Sequence, residues 1–299
     1  MSSSDQLPTY HLSPSTPRLR LPPAACDAHC HVFGPTRVFP YAKRRAYTPP
    51  HEAPKERLFA LHDMLGIERC VIVQAGCHGH DNRVVADAIA AKGGRYRGVA
   101  LLPTDVPDAS LRQLDAAGFR GVRFNFMRHL GAGPPPAEVI ALAERIAKFG
   151  WHLQLHMEPE LIAELTPALR GSPVPVVIDH MGRIDASRGL DQPPVKALFS
   201  LLEDARFWVK VSGSERCSRE EPPYADATPL AARLVATFPE RVLWGTDWPH
   251  PNFRAAPPDD GQLVDLLEVI APTALLRQAL LVDNPLRLYR FGAREVFHV

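Results

Sequence analysis

The length, charge and composition of this chain exclude several classes of protein. Its 299 residues carry 34 lysines and arginines against 33 aspartates and glutamates, so no global field is available to bind a nucleic acid. With 45% hydrophobic and 22% charged residues, the chain has the composition of a folded globular protein and not of a disordered one.

The first predicted element is a flexible arm over residues 1–24, which are rich in serine and proline and lack periodicity. From residue 25 to 299, short apolar runs alternate with segments of helical spacing. We predict strands at 26–33, 70–76, 96–103, 121–126, 152–158, 174–182, 207–213 and 241–249.

This alternation predicts the fold class. Eight strand and helix repeats favour a closed (β/α)8 barrel in one domain, and no glycine-rich GxGxxG turn follows the first strand as in a dinucleotide fold. Segments 34–54 and 250–261 are too long for tight turns, and both emerge at the carboxyl ends of strands. We expect them to be substrate loops.

Histidines and one aspartate follow four of the predicted strands. His29 and His31 are two apart and therefore point to the same side of the first strand, and His156, His180 and Asp247 end the fifth, sixth and eighth. Any one of these histidines alone would most simply be a core residue. Because the set converges on one barrel mouth, it predicts an active site in which Asp247 is a general base.

A second group of residues is cationic. Arg123 and Arg128 follow the fourth strand and Arg216 follows the seventh, while Tyr47 lies in the first loop. Guanidinium groups bind carboxylates through paired hydrogen bonds. The sequence therefore predicts a small anionic substrate as the partner of this protein.

The cysteines and apolar runs bear on location. The five cysteines are odd in number and lie mostly in apolar runs, which is typical of reduced buried thiols. No run approaches the roughly 18 apolar residues of a membrane span, and no signal peptide is recognisable. We expect a cytoplasmic protein without a membrane partner.

The motifs and their order resemble the amidohydrolase superfamily from about Cys26 to Tyr289. The segments that carry the resemblance are DAHCHVFGP, GVRFNF, VIDHMGR, SERCS, WGTDWPHPN and LLVDNPLRLY. Within the superfamily the match is to enzymes that open a cyclic ester of the 2-pyrone-4,6-dicarboxylate kind. The resemblance implies that Asp247 activates water while His29, His31 and His180 polarise the lactone carbonyl.

The resemblance also implies how the substrate is held. Tyr47, Arg123 and Arg216 match positions that bind the substrate carboxylates. The family pattern has another arginine where this sequence has His129, with Arg128 adjacent, so Arg128 is the candidate for that role. The departure leaves the full dicarboxylate clamp open.

A second departure from the family pattern leaves the cofactor open. The pyrone-opening enzymes work without a metal and have a tyrosine where this sequence has His156. A histidine there is found in metal-dependent relatives, so His29, His31, His156 and Asp247 could enclose a divalent ion, with zinc or manganese the leading candidates. The resemblance thus implies either no cofactor or one metal ion.

Three other functions stay open. A metal-dependent hydrolase could act on 4-sulfomuconolactone or a sugar lactone, and a metal-dependent decarboxylase of the same superfamily would use a similar set of histidines. A binding protein without catalysis is the third alternative. Release of carbon dioxide would identify a decarboxylase, and ligand retention without turnover would identify a binding protein.

Overall fold

The computed structural model describes residues 8–131, 133–253 and 255–292. Eight parallel strands form one sheet in the order β1 to β8, each paired with the next along the chain. Their bounds are β1 Cys26–Cys30, β2 Arg69–Val73, β3 Tyr96–Leu101, β4 Phe119–Phe126, β5 His152–Met157, β6 Val176–Ile178, β7 Phe207–Lys210 and β8 Val242–Leu243. The prediction of a (β/α)8 barrel is confirmed.

Twelve α-helices of the described residues surround or extend this sheet. Their bounds are α1 Lys55–Leu65, α2 Arg83–Ala90, α3 Asp108–Ala116, α4 Pro136–Ala147, α5 Leu161–Leu169, α6 Pro193–Leu202, α7 Ser214–Cys217, α8 Thr228–Thr237, α9 Asp260–Asp265, α10 Leu267–Ile270, α11 Ala274–Gln278 and α12 Asn284–Leu288. None of them combines the length and apolar character required to cross a bilayer.

The strands lie where the apolar runs predict them, but several end earlier. The sixth was expected to reach residue 182 and ends at Ile178, and the eighth was expected to reach 249 and ends at Leu243. The polar residues that follow turn out of the sheet, and residues such as His180 and Asp247 take positive φ. These departures from the strand place side chains at the barrel mouth.

Backbone hydrogen bonds between β1 and the segment after β8 close the barrel. Ala28 N donates to Trp244 O at 2.8 Å and Asp247 N donates to His29 O at 2.8 Å. The chain that carries the predicted base is therefore fixed directly to the chain that carries the first histidine. We call the contact between 26–31 and 244–248 the seam.

A buried carboxylate ties the seam together. Asp27 Oδ1 accepts from His29 N at 2.9 Å and from Thr246 N at 3.2 Å, while its Oδ2 accepts from Thr246 Oγ1 at 2.6 Å and lies 3.3 Å from His62 Nε2. Gly245 is required here because a Cβ at this position would lie 2.4 Å from His29 N. The seam is thus close-packed, and one buried carboxylate bonds to both of its sides.

The described part of the predicted arm, residues 8–24, runs over the barrel surface. Ser15 N donates to Asp259 at 3.0 Å and Arg18 N donates to Asp265 at 2.8 Å, while the Tyr10 and Trp248 rings are 5.2 Å apart. Residues 1–7 of the arm, and 293–299 of the predicted barrel domain, lie outside the described residues. The boundary at residue 24 stays a prediction.

The five cysteines are buried free thiols, as predicted. Cys30 and Cys70 lie side by side on β1 and β2 with their sulfurs 3.2 Å apart. Burial raises the pKa of Cys30 to about 11, so this thiol is protonated near neutral pH. These side chains fill the core.

Candidate active site

A cavity of about 490 Å³ opens at the carboxyl ends of the strands. Seven of the residues predicted from the sequence line it, and they come from both ends of the chain and from its middle. They are His31, Tyr47, Arg123, His156, His180, Arg216 and Asp247. The two long loops also reach the cavity, since residues 44–47 of the first loop and residues 251–252 of the second belong to its wall.

Two of the predicted residues lie elsewhere. His29 is fully buried beneath the cavity, next to His180, and their ring centroids are 4.5 Å apart. Arg128 is exposed and is not in the wall, while its neighbour His129 is. The structure therefore places His29 in the layer beneath the cavity and leaves Arg128 exposed outside its wall.

Asp247 lies at the centre of the histidines. Its Oδ1 is 3.2 Å from His31 Nε2, 3.6 Å from His29 Nε2 and 3.8 Å from His180 Nε2. His156 lies farther out, with its ring centroid 5.6 Å from that of His180. One carboxylate oxygen thus faces three imidazoles.

The second oxygen of Asp247 is held by a cation. Arg216 Nε donates to Asp247 Oδ2 at 2.5 Å, and Arg216 Nη2 donates to Pro251 O at 3.1 Å. Burial opposes ionisation of Asp247, but the charge of Arg216 and the hydrogen bond with His31 outweigh it and hold the pKa of this carboxyl well below its usual range. Asp247 is therefore ionised at neutral pH.

The histidines are held by groups behind them. His31 Nδ1 is 2.7 Å from Val73 O, and His180 Nδ1 is 3.1 Å from Ser212 Oγ. Burial lowers the pKa of His180 well below its usual range. His180 is therefore neutral, and a neutral imidazole can offer one N–H group and one lone pair to the site.

The wall of the cavity is strongly cationic. Its described lining contains five arginines and a single carboxylate, Asp247. The arginines are Arg44, Arg45, Arg123, Arg183 and Arg216. An anion that enters this cavity meets several guanidinium groups in a partly dry environment, where charge interactions are stronger than in water.

A buried layer beneath the cavity was not predicted from the sequence. Asp179 accepts from Arg123 Nε at 2.9 Å and from Gln154 Nε2 at 3.1 Å, while Lys210 Nζ lies 3.1 Å from His29 Nδ1 and donates to Gln154 Oε1 at 2.8 Å. Lys210 is fully buried. A charged residue within the apolar strand FWVKVSG was the available sequence signal.

A second buried network supports the turn after β8. His250 Nε2 lies 3.3 Å from Asp260 Oδ1, and His250 Nδ1 lies 3.6 Å from Glu215 Oε1. Burial opposes the charged form, but these two carboxylates raise the pKa of His250 to about 10. The sequence pattern gave His250 no functional role, and the structure makes it a buried imidazolium.

The residues at the centre have the spacing of a metal site but not its surroundings. Donor atoms of His29, His180 and Asp247 lie within 4.8 Å of one another, which suits a small divalent ion. Arg216 nevertheless occupies one oxygen of Asp247, and the Lys210 amine contacts His29. Two cations in contact with the donors oppose a third positive charge, so the set does not fit a resident metal as it stands.

A carboxylate that faces three histidines lies at the carboxyl-terminal face of a (β/α)8 barrel, which is where enzymes of this fold have their active sites. The family model described as Amidohydrolase matches residues 26–291. This chain belongs to the amidohydrolase family.

Three relatives are similar to this chain over more than 90% of its length. It is 48% identical to a 2-pyrone-4,6-dicarboxylate hydrolase of Comamonas testosteroni over 94% of each chain. It is 40% identical to a 4-sulfomuconolactone hydrolase of Hydrogenophaga intermedia over 94% of this chain and 93% of that one. A Pseudomonas putida structure, provisionally described as a 2-pyrone-4,6-dicarboxylic acid hydrolase, is 36% identical with a TM-score of 0.81 over 92% of this chain and 100% of that one.

Proposed function

We propose that this protein opens the ring of 2-pyrone-4,6-dicarboxylate or a close carboxylated analogue, using water activated by Asp247. The observation that carries the proposal is the cavity itself, in which one ionised carboxylate faces three histidines inside a wall of arginines. The curated relatives act on lactones, and they confirm the prediction of a lactone-acting hydrolase.

Asp247 is the group that can take a proton from water. Water attacks the lactone carbonyl carbon, its proton passes to Asp247, and the ring carbon–oxygen bond breaks as the tetrahedral intermediate collapses. Asp247 then returns the proton to the departing ring oxygen, so one water is consumed and the base is regenerated. Such a base contributes roughly 10²- to 10⁴-fold to rate.

The histidines around Asp247 can stabilise the oxyanion that forms during attack. His29 Nε2 is buried without a hydrogen-bond partner among the residues that the structure describes, and it lies beside Asp247 Oδ1. A ring N–H at this position would donate to the carbonyl oxygen, and His31 and His180 border the same space. Fixed donors of this kind act strongly because they need no reorganisation during the reaction.

The arginines select the substrate by charge. Arg123 lies in β4 and Arg216 follows β7, on different sides of the cavity, and Arg183 joins them from the turn after β6. Carboxylates on opposite sides of one ring could therefore bind separate guanidinium groups, with Tyr47 and His156 in the same wall. Arg128 lies outside this wall, so we give it no direct contact with substrate.

No step of this mechanism requires a metal ion. A zinc- or manganese-dependent reaction on 4-sulfomuconolactone or a sugar lactone is the second candidate. The donor atoms of His29, His180 and Asp247 have the spacing that such an ion needs, although the contacts of Arg216 and Lys210 with them oppose it. In that case the metal would polarise the carbonyl or lower the pKa of water, with these three residues as its ligands.

The test is an ultraviolet assay of 2-pyrone-4,6-dicarboxylate, run on the purified protein with and without a chelator. We expect loss of the pyrone absorbance that the chelator does not change, with no carbon dioxide released. Activity only on other lactones and only with added metal would support the second candidate instead. Carbon dioxide release would identify a decarboxylase.

Substitution of Arg216 should move the pH profile as well as weaken binding. In the free wild-type enzyme the pKa of Asp247 lies well below the ordinary value of 3.8, so this carboxyl stays ionised in mildly acidic solution. We therefore expect kcat/KM to stay level as the pH falls to about 5. In Arg216→Met the positive charge that lowers the pKa of Asp247 is absent, so Asp247 becomes protonated at higher pH. The acidic limb of the kcat/KM profile should therefore shift to higher pH.

The matched control is Arg44→Met, which removes a positive charge from the exposed part of the cavity wall. It should change KM without moving the acidic limb, because Arg44 is not among the groups that lower the pKa of Asp247. Equal pH profiles for the wild type and Arg216→Met would contradict the assignment of Asp247 as the titrating base.

A further inference from the structure

We infer that Lys210 is a positioning residue that fixes the proton of His29 on Nε2, and thereby makes His29 a hydrogen-bond donor to the substrate instead of a metal ligand. The inference rests on the proposed function for its catalytic part. It is carried by the contacts of a single buried imidazole with a buried amine and a buried carboxylate.

The first step concerns the partner of His29 Nδ1. Lys210 Nζ lies 3.1 Å from this nitrogen in hydrogen-bonding geometry. An ammonium group has three donors and no acceptor, so in this contact the lysine donates and the imidazole accepts. A neutral imidazole that accepts at Nδ1 carries its proton at Nε2.

The second step concerns the competing partner of the same nitrogen. Asp179 Oδ1 lies 3.3 Å from the same nitrogen, and the opposite tautomer would donate to it. This oxygen nevertheless has no hydrogen-bond partner among the described residues. The carboxylate is instead held through its other oxygen, by Arg123 and Gln154. The geometry therefore favours the lysine contact.

The third step concerns what faces the cavity. With the proton on Nε2, His29 presents an N–H group toward the space beside Asp247, where that atom has no partner among the described residues. This is the donor that an oxyanion requires. The same protonated nitrogen has no lone pair for a metal, so one contact below the site both supplies the donor and disfavours coordination.

The charges in this buried layer act in the same direction. Lys210 and Arg123 carry positive charge and Asp179 carries negative charge, so the layer is net positive directly beneath His29. A dication bound above it would be repelled. Replacing the lysine with an uncharged residue leaves Asp179 balanced by Arg123, so the fold retains a paired carboxylate.

The experiment compares the full chain with Lys210→Met by ¹⁵N NMR of the imidazole nitrogens, with His29 assigned from a His29→Gln spectrum. We expect the wild type to carry the His29 proton on Nε2. In Lys210→Met the proton should move to Nδ1, where it can be donated to Asp179. Zinc titration should then show tighter binding by about 10- to 100-fold, the usual size of effects from groups behind a ligand.

The rate provides a third readout. Loss of one oxyanion donor should lower kcat for the pyrone by about 10²- to 10³-fold. Lys196→Met is the control, because Lys196 is an exposed lysine that pairs with Asp191 on the surface. It should leave the tautomer, the zinc affinity and kcat unchanged.

A second variant guards against misfolding. Lys210→Gln places an uncharged N–H donor at the same position, and we expect it to keep the Nε2 proton and the weak zinc binding of the wild type. The inference is overturned if the wild type carries the proton on Nδ1, or if Lys210→Met changes neither the tautomer nor zinc affinity. If Lys210→Met changes both the tautomer and the zinc affinity, but neither the wild type nor any variant opens the pyrone, then the inference about Lys210 holds and the proposed substrate is wrong.

Discussion

Asp247→Asn should abolish most of the turnover while the substrate still binds. We expect kcat to fall by about 10³-fold or more, because the amide cannot accept the proton of the attacking water. Binding should be retained or strengthened, since the change removes the single carboxylate from a wall of arginines and leaves Arg216 free to meet a substrate anion. Initial rates at saturating substrate give kcat, and isothermal titration calorimetry of the variant with the intact pyrone gives Kd.

The matched control is Asp185→Asn, which makes the same chemical change elsewhere. Asp185 lies on the loop after β6 and pairs with Arg219. It should leave kcat within about twofold of the wild type, since the effect of a surface change of this kind is small. Near-native turnover by Asp247→Asn would show that the base is another residue. Loss of binding together with turnover would show that Asp247 holds the substrate or the fold instead.

Asp27→Ala should destabilise the barrel more than any other single change considered. Asp27 is fully buried and accepts from backbone and side-chain groups on both sides of the seam. Its removal leaves those donors buried without an acceptor, which for a buried charged network costs about 3–5 kcal/mol. The free energy of unfolding from urea titration measures the effect.

Two control variants test whether the loss of stability comes from the hydrogen bonds of the seam or simply from removing a carboxylate. Asp27→Asn keeps the size and one acceptor oxygen and should cost less than the alanine change. Asp105→Ala removes an exposed aspartate after β3 and should stay within about 0.5 kcal/mol of the wild type. An Asp27→Ala protein as stable as the wild type would mean that the backbone bonds alone close the barrel.

The strands could be predicted from the sequence because buried parallel strands are continuous apolar runs, as in CVIV at the start of the second. Their ends could not. The segments after Ile178 and Leu243 were predicted to continue the strands, but His180, Met181 and Asp247 adopt positive φ there. That conformation depends on tertiary contacts, which no local pattern encodes.

The site was predictable only where residue type and strand end coincide. His31, His180, Arg216 and Asp247 follow strands and line the cavity, as expected. Arg183 was missed, although it stands in the VIDHMGR motif, because it is three residues beyond the expected histidine in an irregular turn. Adjacent residues on an irregular turn can point in different directions, so spacing alone cannot rank them.

Lys210 and Asp179 were missed for a different reason. Their importance lies in a contact with His29, which is distant in sequence, and only the closed barrel brings β1 close to the ends of β6 and β7. Arg128 is the opposite case, because its position beside the fourth strand suggested a cavity residue and the structure leaves it exposed. Interior polar networks are properties of the closed barrel.

The seam has a consequence for how such an enzyme can diverge. The residues assigned to bond cleavage, His29 and Asp247, share backbone hydrogen bonds that hold the first and last strands together. The residues assigned to recognition lie partly on the loop 34–54, where Arg44 and Arg45 are exposed. Mutations can therefore reshape substrate preference at the loop with little loss of stability, while the catalytic pair is constrained by the integrity of the whole barrel.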